Sequence, residues 1–143
     1  MRVNFLIKFF LLISFLFLSG CSKIIELIEK ELVLECDRSI NPIDWNNCIG
    51  KQTLQSGTEY EGSFIKGKWD GRGTLTWENG DVYEGEWKEN KLEGQGKYTW
   101  ASGNVYEGEW ANNDRNGKGT LRWASGNVYE GEWVDDKRNG EGT

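Results

Sequence analysis

The chain has 143 residues, a formal net charge of −6 and no histidine. Residues 1–20 contain Arg2 and Lys8 and no acidic residue, so the rest of the chain carries a net charge of −8. An acidic chain without clustered Lys and Arg is poorly suited to neutralising phosphates, which argues against nucleic acid as a partner. Since histidine is the commonest general base and metal ligand, we expect no catalytic residue, no metal site and no cofactor.

The N-terminus is typical of a secretion signal over residues 1–20. Two basic residues precede an apolar stretch, Phe9 to Leu18, which is too short to span a bilayer comfortably. The sequence Leu18-Ser19-Gly20-Cys21 then resembles the lipobox of bacterial lipoproteins. The resemblance implies that Cys21 is acylated and becomes the first residue of the mature chain. An ordinary cleaved signal peptide with a coincidental cysteine is the alternative.

If Cys21 is acylated, the chain is anchored to a membrane and does not cross it, and durable anchoring needs more than one acyl chain. Ser22 stands where lipoproteins held at the inner membrane carry aspartate. In a cell with two membranes, the resemblance therefore implies the outer membrane, with the protein facing the periplasm of the bacterial cell envelope.

Residues 21–49 are predicted to be a tether followed by a cap. In the segment 22–35, Ile24, Ile28 and Leu32 recur at four-residue spacing, which predicts a short amphipathic helix. A helix that binds a partner is the alternative to a simple tether. Cys36 and Cys48 are predicted to form a disulfide, because an exported chain meets an oxidising compartment. A metal site is disfavoured, since there is no second cysteine pair.

The rest of the chain repeats with a period of 23 residues. Four stretches are in phase: Tyr60-Glu-Gly-Ser-Phe64, Tyr83-Glu-Gly-Glu-Trp87, Tyr106-Glu-Gly-Glu-Trp110 and Tyr129-Glu-Gly-Glu-Trp133. A fixed period of this kind indicates a repeat array. The phase extends upstream to Gly50, so residues 50–143 are predicted to form a half repeat, three full repeats and a truncated fourth.

Each repeat is predicted to be a β-hairpin. Alternation along Tyr83–Trp87 places the aromatic residues on one face and the glutamates on the other, and Gly96–Trp100 forms the second strand. A two-residue Asn79-Gly80 turn would send Tyr83 to the far face of the sheet. A three-residue loop, residues 78–80, instead pairs Leu75 with Tyr83 and needs a left-handed glycine at its last position. Gly80, Gly103 and Gly126 stand there, so we expect the three-residue loop.

The other connection in each repeat also contains residues that tolerate a positive φ, at two repeat positions. They are Gly67, Asn90, Asn113 and Asp136 at one position, and Gly71, Gly94, Gly117 and Gly140 at the other. The predicted fold class is all-β, an antiparallel meander of short strands.

The motif Tyr-Glu-Gly-Glu-Trp, followed by Gly-x-Gly and a closing aromatic on a 23-residue period, resembles the MORN repeat family. The resemblance covers residues 50–143. It implies an elongated, twisted, single-layer antiparallel sheet with one hairpin per repeat, and a role as a scaffold or interaction surface. The first repeat departs from the pattern, with Ser63, Phe64 and a Trp69 where later repeats have Leu92, Arg115 and Arg138.

The aromatic residues have two interpretations. In a single-layer sheet they must cover one another, while glycines such as Gly85 and Gly108 give the rings room. Part of the set is alternatively an open groove for a peptide or a glycan. The candidate binding face consists of Tyr60, Trp77, Tyr83, Trp87, Tyr98, Trp100, Tyr106, Trp110, Trp123, Tyr129 and Trp133, and Phe64 continues the same stripe.

The paired glutamates, such as Glu84 with Glu86, allow glycoside hydrolysis on distance alone. Their recurrence in every repeat instead indicates a solvated face, paired across strands with Thr74, Lys97 and Arg122.

The sequence therefore predicts a non-enzymatic, lipid-anchored envelope protein whose partner is an unknown envelope protein. A glycan- or peptidoglycan-binding module and, more remotely, a hydrolase are the alternatives. An unpaired strand at the C-terminal edge would allow end-to-end self-association.

Overall fold

The computed structural model describes residues 34–140, which form one open sheet of nine antiparallel strands in sequential order. The strands are β1 Cys48–Thr53, β2 Glu59–Ile65, β3 Lys68–Thr76, β4 Val82–Lys88, β5 Lys91–Thr99, β6 Val105–Ala111, β7 Asp114–Arg122, β8 Val128–Val134 and β9 Lys137–Asn139. The predicted all-β meander is confirmed. Cys21 and residues 22–33 of the helix predicted in the segment 22–35 lie outside the described residues. The last two residues of that segment, Leu34 and Glu35, are not helical.

Three-residue loops join β3 to β4, β5 to β6 and β7 to β8. In the first, Leu75 pairs with Tyr83, the Trp77 N–H donates to the Asp81 carbonyl at 2.9 Å, and Gly80 has a φ of 89°. The predicted loop length is confirmed, and with it the separation of the aromatic residues and the paired glutamates onto opposite faces. The loop between β1 and β2 has the same hydrogen bonds, from Leu54 to Thr58.

Two-residue loops make the other connections. Both residues of each loop have positive φ, as in Glu89 at 49° and Asn90 at 68°. This is the type I′ geometry, whose twist matches that of the flanking strands. The predicted left-handed conformation of the second residue is confirmed. The left-handed conformation of the first loop residue was not predicted. The residues at this position, Lys66, Glu89, Asn112 and Asp135, share no strong preference for a positive φ.

The second strand of each repeat begins earlier than predicted. Pairing resumes directly after the type I′ loop, so β5 starts at Lys91 instead of Gly96. Between the Gly85–Gly96 pair and the Glu86–Glu93 pair, β5 contains two additional residues that form a bulge. One of them, Gly94, has a φ of 61°. The longer strand places Leu92 opposite Trp87, on the aromatic face.

A cap covers the first strand. The predicted Cys36–Cys48 disulfide is present, and Glu35 forms an isolated parallel bridge with Ile49 on the outer side of β1. Trp45 packs edge-on against Phe64, with ring centroids 4.8 Å apart, and its Nε1–H donates to the Asp37 carbonyl at 2.8 Å. The cap therefore continues the aromatic stripe beyond the first repeat.

Candidate functional site

A row of glycines crosses the sheet at right angles to the strands. Each glycine pairs directly with the next, from β1 to β8: Gly50, Gly62, Gly73, Gly85, Gly96, Gly108, Gly119 and Gly131. Along this line no side chain projects from either face of the sheet. The space above the row is therefore available to side chains of neighbouring residues on one face and to a ligand on the other.

On the aromatic face, tyrosine rings fill the space above the glycine row. A Cβ atom added to Gly85 would overlap the Tyr83 hydroxyl, and one added to Gly96 would overlap the Tyr83 ring. The Tyr83 hydroxyl reaches past the row and donates to the Glu86 carbonyl at 3.0 Å. Tyr60, Tyr106 and Tyr129 make the equivalent bond three residues further along their own strands. The tyrosine thus requires the two neighbouring glycines, as predicted for Gly85.

Tryptophans join the tyrosines of successive repeats. Tyr83 is edge-on to Trp87 of its own strand, with centroids 5.1 Å apart, and to Trp110 of the next repeat at 5.5 Å. The same T-shaped contacts continue from Phe64 to Trp133 through every repeat. Because edge-to-face pairs are favourable for aromatic rings, this chain of contacts takes the place of a second layer.

Burial raises the pKa of Tyr60 and Tyr83 well above the ordinary tyrosine value. Burial likewise raises the pKa of Tyr106 to about 12. These hydroxyls are neutral hydrogen-bond donors at physiological pH, and none of them is a general base.

The predicted binding face therefore divides into two parts. Seven of its residues are buried: Tyr60, Tyr83, Trp87, Tyr106, Trp110, Tyr129 and Trp133. Four are half-buried and keep part of their rings accessible: Trp77, Tyr98, Trp100 and Trp123. We call these four residues the aromatic rim. Among the predicted residues, a ligand of this face can reach the aromatic rim, since the other seven rings are covered by one another.

Asp81 organises the rim from the loop that follows β3. Its carboxylate accepts hydrogen bonds from the Tyr98 hydroxyl at 2.9 Å and from the Ala101 N–H at 2.8 Å. The Ala101 bond is the main reason that the pKa of Asp81 lies below its ordinary value. Tyr98 is held between Trp77 and Trp100, at 5.2 Å and 4.5 Å.

One position on the aromatic face was noted in the sequence only as a departure from the pattern. Trp69 stacks on Tyr60 with centroids 4.5 Å apart. Arg115, its equivalent in a later repeat, lies 4.3 Å from the Trp133 ring centroid and pairs with Asp136 at 2.8 Å. The position holds Trp69, Leu92, Arg115 and Arg138, which all cover neighbouring rings. Their shared role was hidden because an indole, a branched alkyl group and two guanidinium side chains have only apolar surface in common.

The polar face is open above the glycine row. Three depressions follow one another along it, over Gly62, over Gly73 to Gly96, and over Gly108 to Gly131. We call this line of depressions the glycine groove. Its walls carry Glu61, Glu84, Glu107 and Glu130 on one side and Glu86, Glu109 and Glu132 on the other. Between residues 34 and 140, no ion pair within 4 Å involves any of these seven carboxylates.

The acidic residues do not converge on a point. In the part of the chain that the structure describes, no three Cys, Asp or Glu side chains are close enough to hold a metal ion. That part also has no helix long and apolar enough to cross a bilayer. The glutamates thus form an extended pair of rows.

A single-layer β-repeat sheet, with buried Tyr–Trp contacts on one face and glutamate rows on the other, defines the class of this protein. The chain belongs to the MORN repeat family, since the family model matches residues 60–82, 83–105, 106–128 and 129–143. No curated protein matches the chain as a relative.

Proposed function

We propose that this chain is a non-enzymatic, lipid-anchored protein of the bacterial cell envelope that presents its MORN sheet as a protein-interaction scaffold. One observation carries the scaffold role: the aromatic face covers itself, while the polar face keeps a groove that crosses all the repeats. A surface repeated over seven strands suits an extended partner better than a small substrate.

Crosslinking in intact cells tests the scaffold role. A photoreactive residue placed at Glu84 or Glu107, both exposed in the groove, is expected to give one discrete protein adduct. The same residue at Ser102, in an exposed loop away from the groove, is the matched control and is expected to give none. Adducts of equal yield at all three positions, or none at the groove, would contradict the proposal.

The anchor is proposed to be acylated Cys21, at the outer membrane and facing the periplasm. The lipobox resemblance supports it, and the Cys36–Cys48 disulfide is consistent with an oxidising compartment. Cys21→Ser is expected to release the protein from the membrane fraction. The Cys36→Ser/Cys48→Ser pair, which also removes cysteines, is expected to stay with the membrane. Retention of the Cys21→Ser protein would place the anchor elsewhere.

The non-enzymatic role is supported by the repetition of the glutamate pair along the groove. A catalytic pair of carboxylates needs one raised pKa in a distinct environment. Glu84 and Glu107 instead face alike neighbours, Lys97 and a threonine each. A set of generic glycosidase and esterase substrates is expected to show no turnover. Turnover that Glu84→Gln abolishes would establish the hydrolase alternative.

Glycan binding is the second candidate function, and the aromatic rim favours it. Trp77, Trp100 and Trp123 recur at every second strand with part of each ring accessible. Co-sedimentation with purified peptidoglycan separates the candidates, with Trp100→Ala tested beside the conservative Trp100→Phe. Under the scaffold proposal the protein stays in the supernatant. Strong pelleting that only Trp100→Ala removes would replace the scaffold with a glycan-binding module.

End-to-end association is proposed to accompany the scaffold role. β9 is a short strand whose described partner is β8, and exposed strand edges readily pair with other chains. Light scattering across a concentration series is expected to show a rising mass. A constant monomer mass would contradict this association.

A further inference from the structure

The floor of the glycine groove offers no free backbone groups. Gly85 pairs in register with Gly73 on one side and Gly96 on the other, and Gly108 lies likewise between Gly96 and Gly119. In the interior of an antiparallel sheet, the N–H and C=O groups bond to the neighbouring strands. Beside the bulges side chains take this part, as where the Lys118 N–H donates to the Glu109 carboxylate at 2.9 Å. A partner in the groove therefore cannot add as a further strand, and it must be recognised by the side chains of the walls.

The carboxylates on the walls have a regular spacing. Glu84, Glu107 and Glu130 lie on alternate strands, and since neighbouring strands are 4.7–4.9 Å apart, they recur at ~9.6 Å along the groove. The opposite wall repeats in the same way. The two glutamates of a strand, such as Glu107 and Glu109, lie two positions apart, so the walls stand ~7 Å apart.

The groove carries more negative than positive charge. The seven wall glutamates stand against four basic residues, namely Lys51, Arg72, Lys97 and Lys118, and Lys51 is already paired at 2.8 Å with Glu59, an eighth glutamate in the first depression. Lys97 lies between Glu84 and Glu107 and weakens the negative field there. The field is strongest over Gly119, where Glu107, Glu109, Glu130 and Glu132 surround Lys118 alone.

We propose that the glycine groove binds an extended segment of a partner protein that is in polyproline II conformation and carries Lys or Arg at every third residue. The inference rests on the proposed scaffold function and names the chemistry of its partner. A polyproline II chain rises ~3.1 Å per residue with three residues per turn, so every third side chain points the same way at ~9.3 Å intervals. This interval matches the carboxylate spacing to within ~0.3 Å per repeat.

Other conformations fit less well. A β-strand places every third side chain on alternate faces, so half of its basic groups would point away from the floor. An α-helix rises ~5.4 Å per turn, so side chains two turns apart recur at ~10.8 Å, about 1.2 Å more per repeat than the carboxylate spacing. Polyproline II has no internal hydrogen bonds and needs no backbone partner on the floor, since the side of its backbone that faces away from the floor stays solvated.

Peptide binding to the full-length chain in detergent solution tests this proposal. One labelled probe contains four Lys-Pro-Pro units, and the other has the same composition with its lysines contiguous. The periodic probe is expected to bind at least fivefold more tightly at low salt, and its affinity is expected to fall as salt screens the charges. Glu107→Gln/Glu130→Gln is expected to weaken it by roughly three- to tenfold, because each exposed ion pair contributes a few-fold.

Glu78→Gln/Glu89→Gln is the matched control, since it removes the same charge from exposed positions outside the groove. The control is expected to change the affinity of the periodic probe by less than twofold, and equal thermal melting curves show that all variants fold alike. Equal binding of the two probes, or equal weakening in the two double variants, would overturn the proposal. If Glu107 gives crosslinked adducts in cells but the periodic probe does not bind, the polyproline II segment is rejected as the ligand of the groove. The proposed scaffold role then still stands.

Discussion

The ring of Tyr83 stands edge-on to the ring of Trp110 in the next repeat, with 5.5 Å between centroids and 88° between ring planes. The Trp110 Nε1–H donates to the Gly96 carbonyl at 3.2 Å, on the neighbouring strand. The Tyr83 ring lies against the same glycine. One glycine thus accommodates a tyrosine from one repeat and bonds a tryptophan from the next, so each repeat stabilises its neighbour.

Trp110→Phe is expected to lower the free energy of unfolding by about 1–3 kcal/mol, because the Gly96 carbonyl loses its donor in a buried place. Trp110→Ala is expected to cost about 3–5 kcal/mol, since the ring contacts disappear as well. Urea denaturation measures both. Trp123→Phe, at a half-buried rim position, is the control and is expected to cost under about 1 kcal/mol. If Trp110→Phe and Trp123→Phe lowered the free energy of unfolding equally, the hydrogen bond from Trp110 to the Gly96 carbonyl would not have the stabilising role expected of it.

Gly96→Ala is expected to destabilise the sheet by about 1–3 kcal/mol or more, because the added Cβ overlaps the Tyr83 ring. Gly126→Ala separates this overlap from backbone strain. Gly126 has a φ of 92°, but a Cβ there meets no atom within 4 Å. Its cost is expected to be only that of a left-handed alanine, about 1 kcal/mol. Calorimetric melting measures the stability of both variants. An equal loss of stability in the two would argue against an overlap between the added Cβ and the Tyr83 ring.

The sequence was sufficient for the fold because its information is local and repeated. The 23-residue period, the glycine at 80, 103 and 126, and the alternation around Tyr83 together determined strand order, loop length and the faces. The early start of β5 was not predictable in the same way. It depends on the bulge at Gly94, which lets pairing continue on both sides of two extra residues.

The division of the aromatic face was also beyond the sequence. Tyr83 and Tyr98 have similar chemistry, yet the first is fully buried and the second is half-buried. The difference arises from position, since Tyr83 lies over the glycine row and Tyr98 lies beside Asp81 at the loop end of the sheet. The glycine groove was likewise hidden, because in the sequence the glutamates of its walls indicate only a solvated strand face.

Arg115 covers the Trp133 ring by its stem and planar head, and Leu92 fills the equivalent place one repeat earlier. Arg115→Leu is therefore expected to change the unfolding free energy by under about 1 kcal/mol, because apolar cover is retained. Arg115→Ala is expected to cost about 1–2 kcal/mol through lost packing and the lost pair with Asp136. Urea midpoints of the two variants test this. Both variants remove the charge, so an equal loss in the two would show that the charge, not the cover, matters.

Breaking the Cys36–Cys48 disulfide is expected to lower stability by roughly 3 kcal/mol, since it closes a loop with a sequence separation of 12. The Cys36→Ser/Cys48→Ser variant and the reduced wild type are expected to lose the same amount. Hydrogen exchange is expected to accelerate first in β1, which the cap covers, and least in β6 and β7. Uniform acceleration across all strands would contradict a local capping role.

Alkaline pH is expected to weaken the sheet through its buried tyrosines. In the unfolded chain a tyrosine loses its proton near pH 10, whereas burial raises the pKa of Tyr106 to about 12 in the folded chain. Between these values the unfolded state binds fewer protons than the folded state, so stability falls as the pH rises. Below about pH 10 both states are protonated, and this contribution to stability is fully present.

Tyr106→Phe isolates the effect. At neutral pH the variant is expected to be less stable by about 1 kcal/mol, because the hydroxyl no longer donates to the Glu109 carbonyl. From pH 10 upward its stability is expected to fall less steeply than that of the wild type, by at most ~1.4 kcal/mol per pH unit for the one tyrosine removed. Lysine titration affects both proteins equally, so urea midpoints measured side by side report the tyrosine alone. Parallel curves for the two proteins would mean that Tyr106 titrates alike in the folded and unfolded chains.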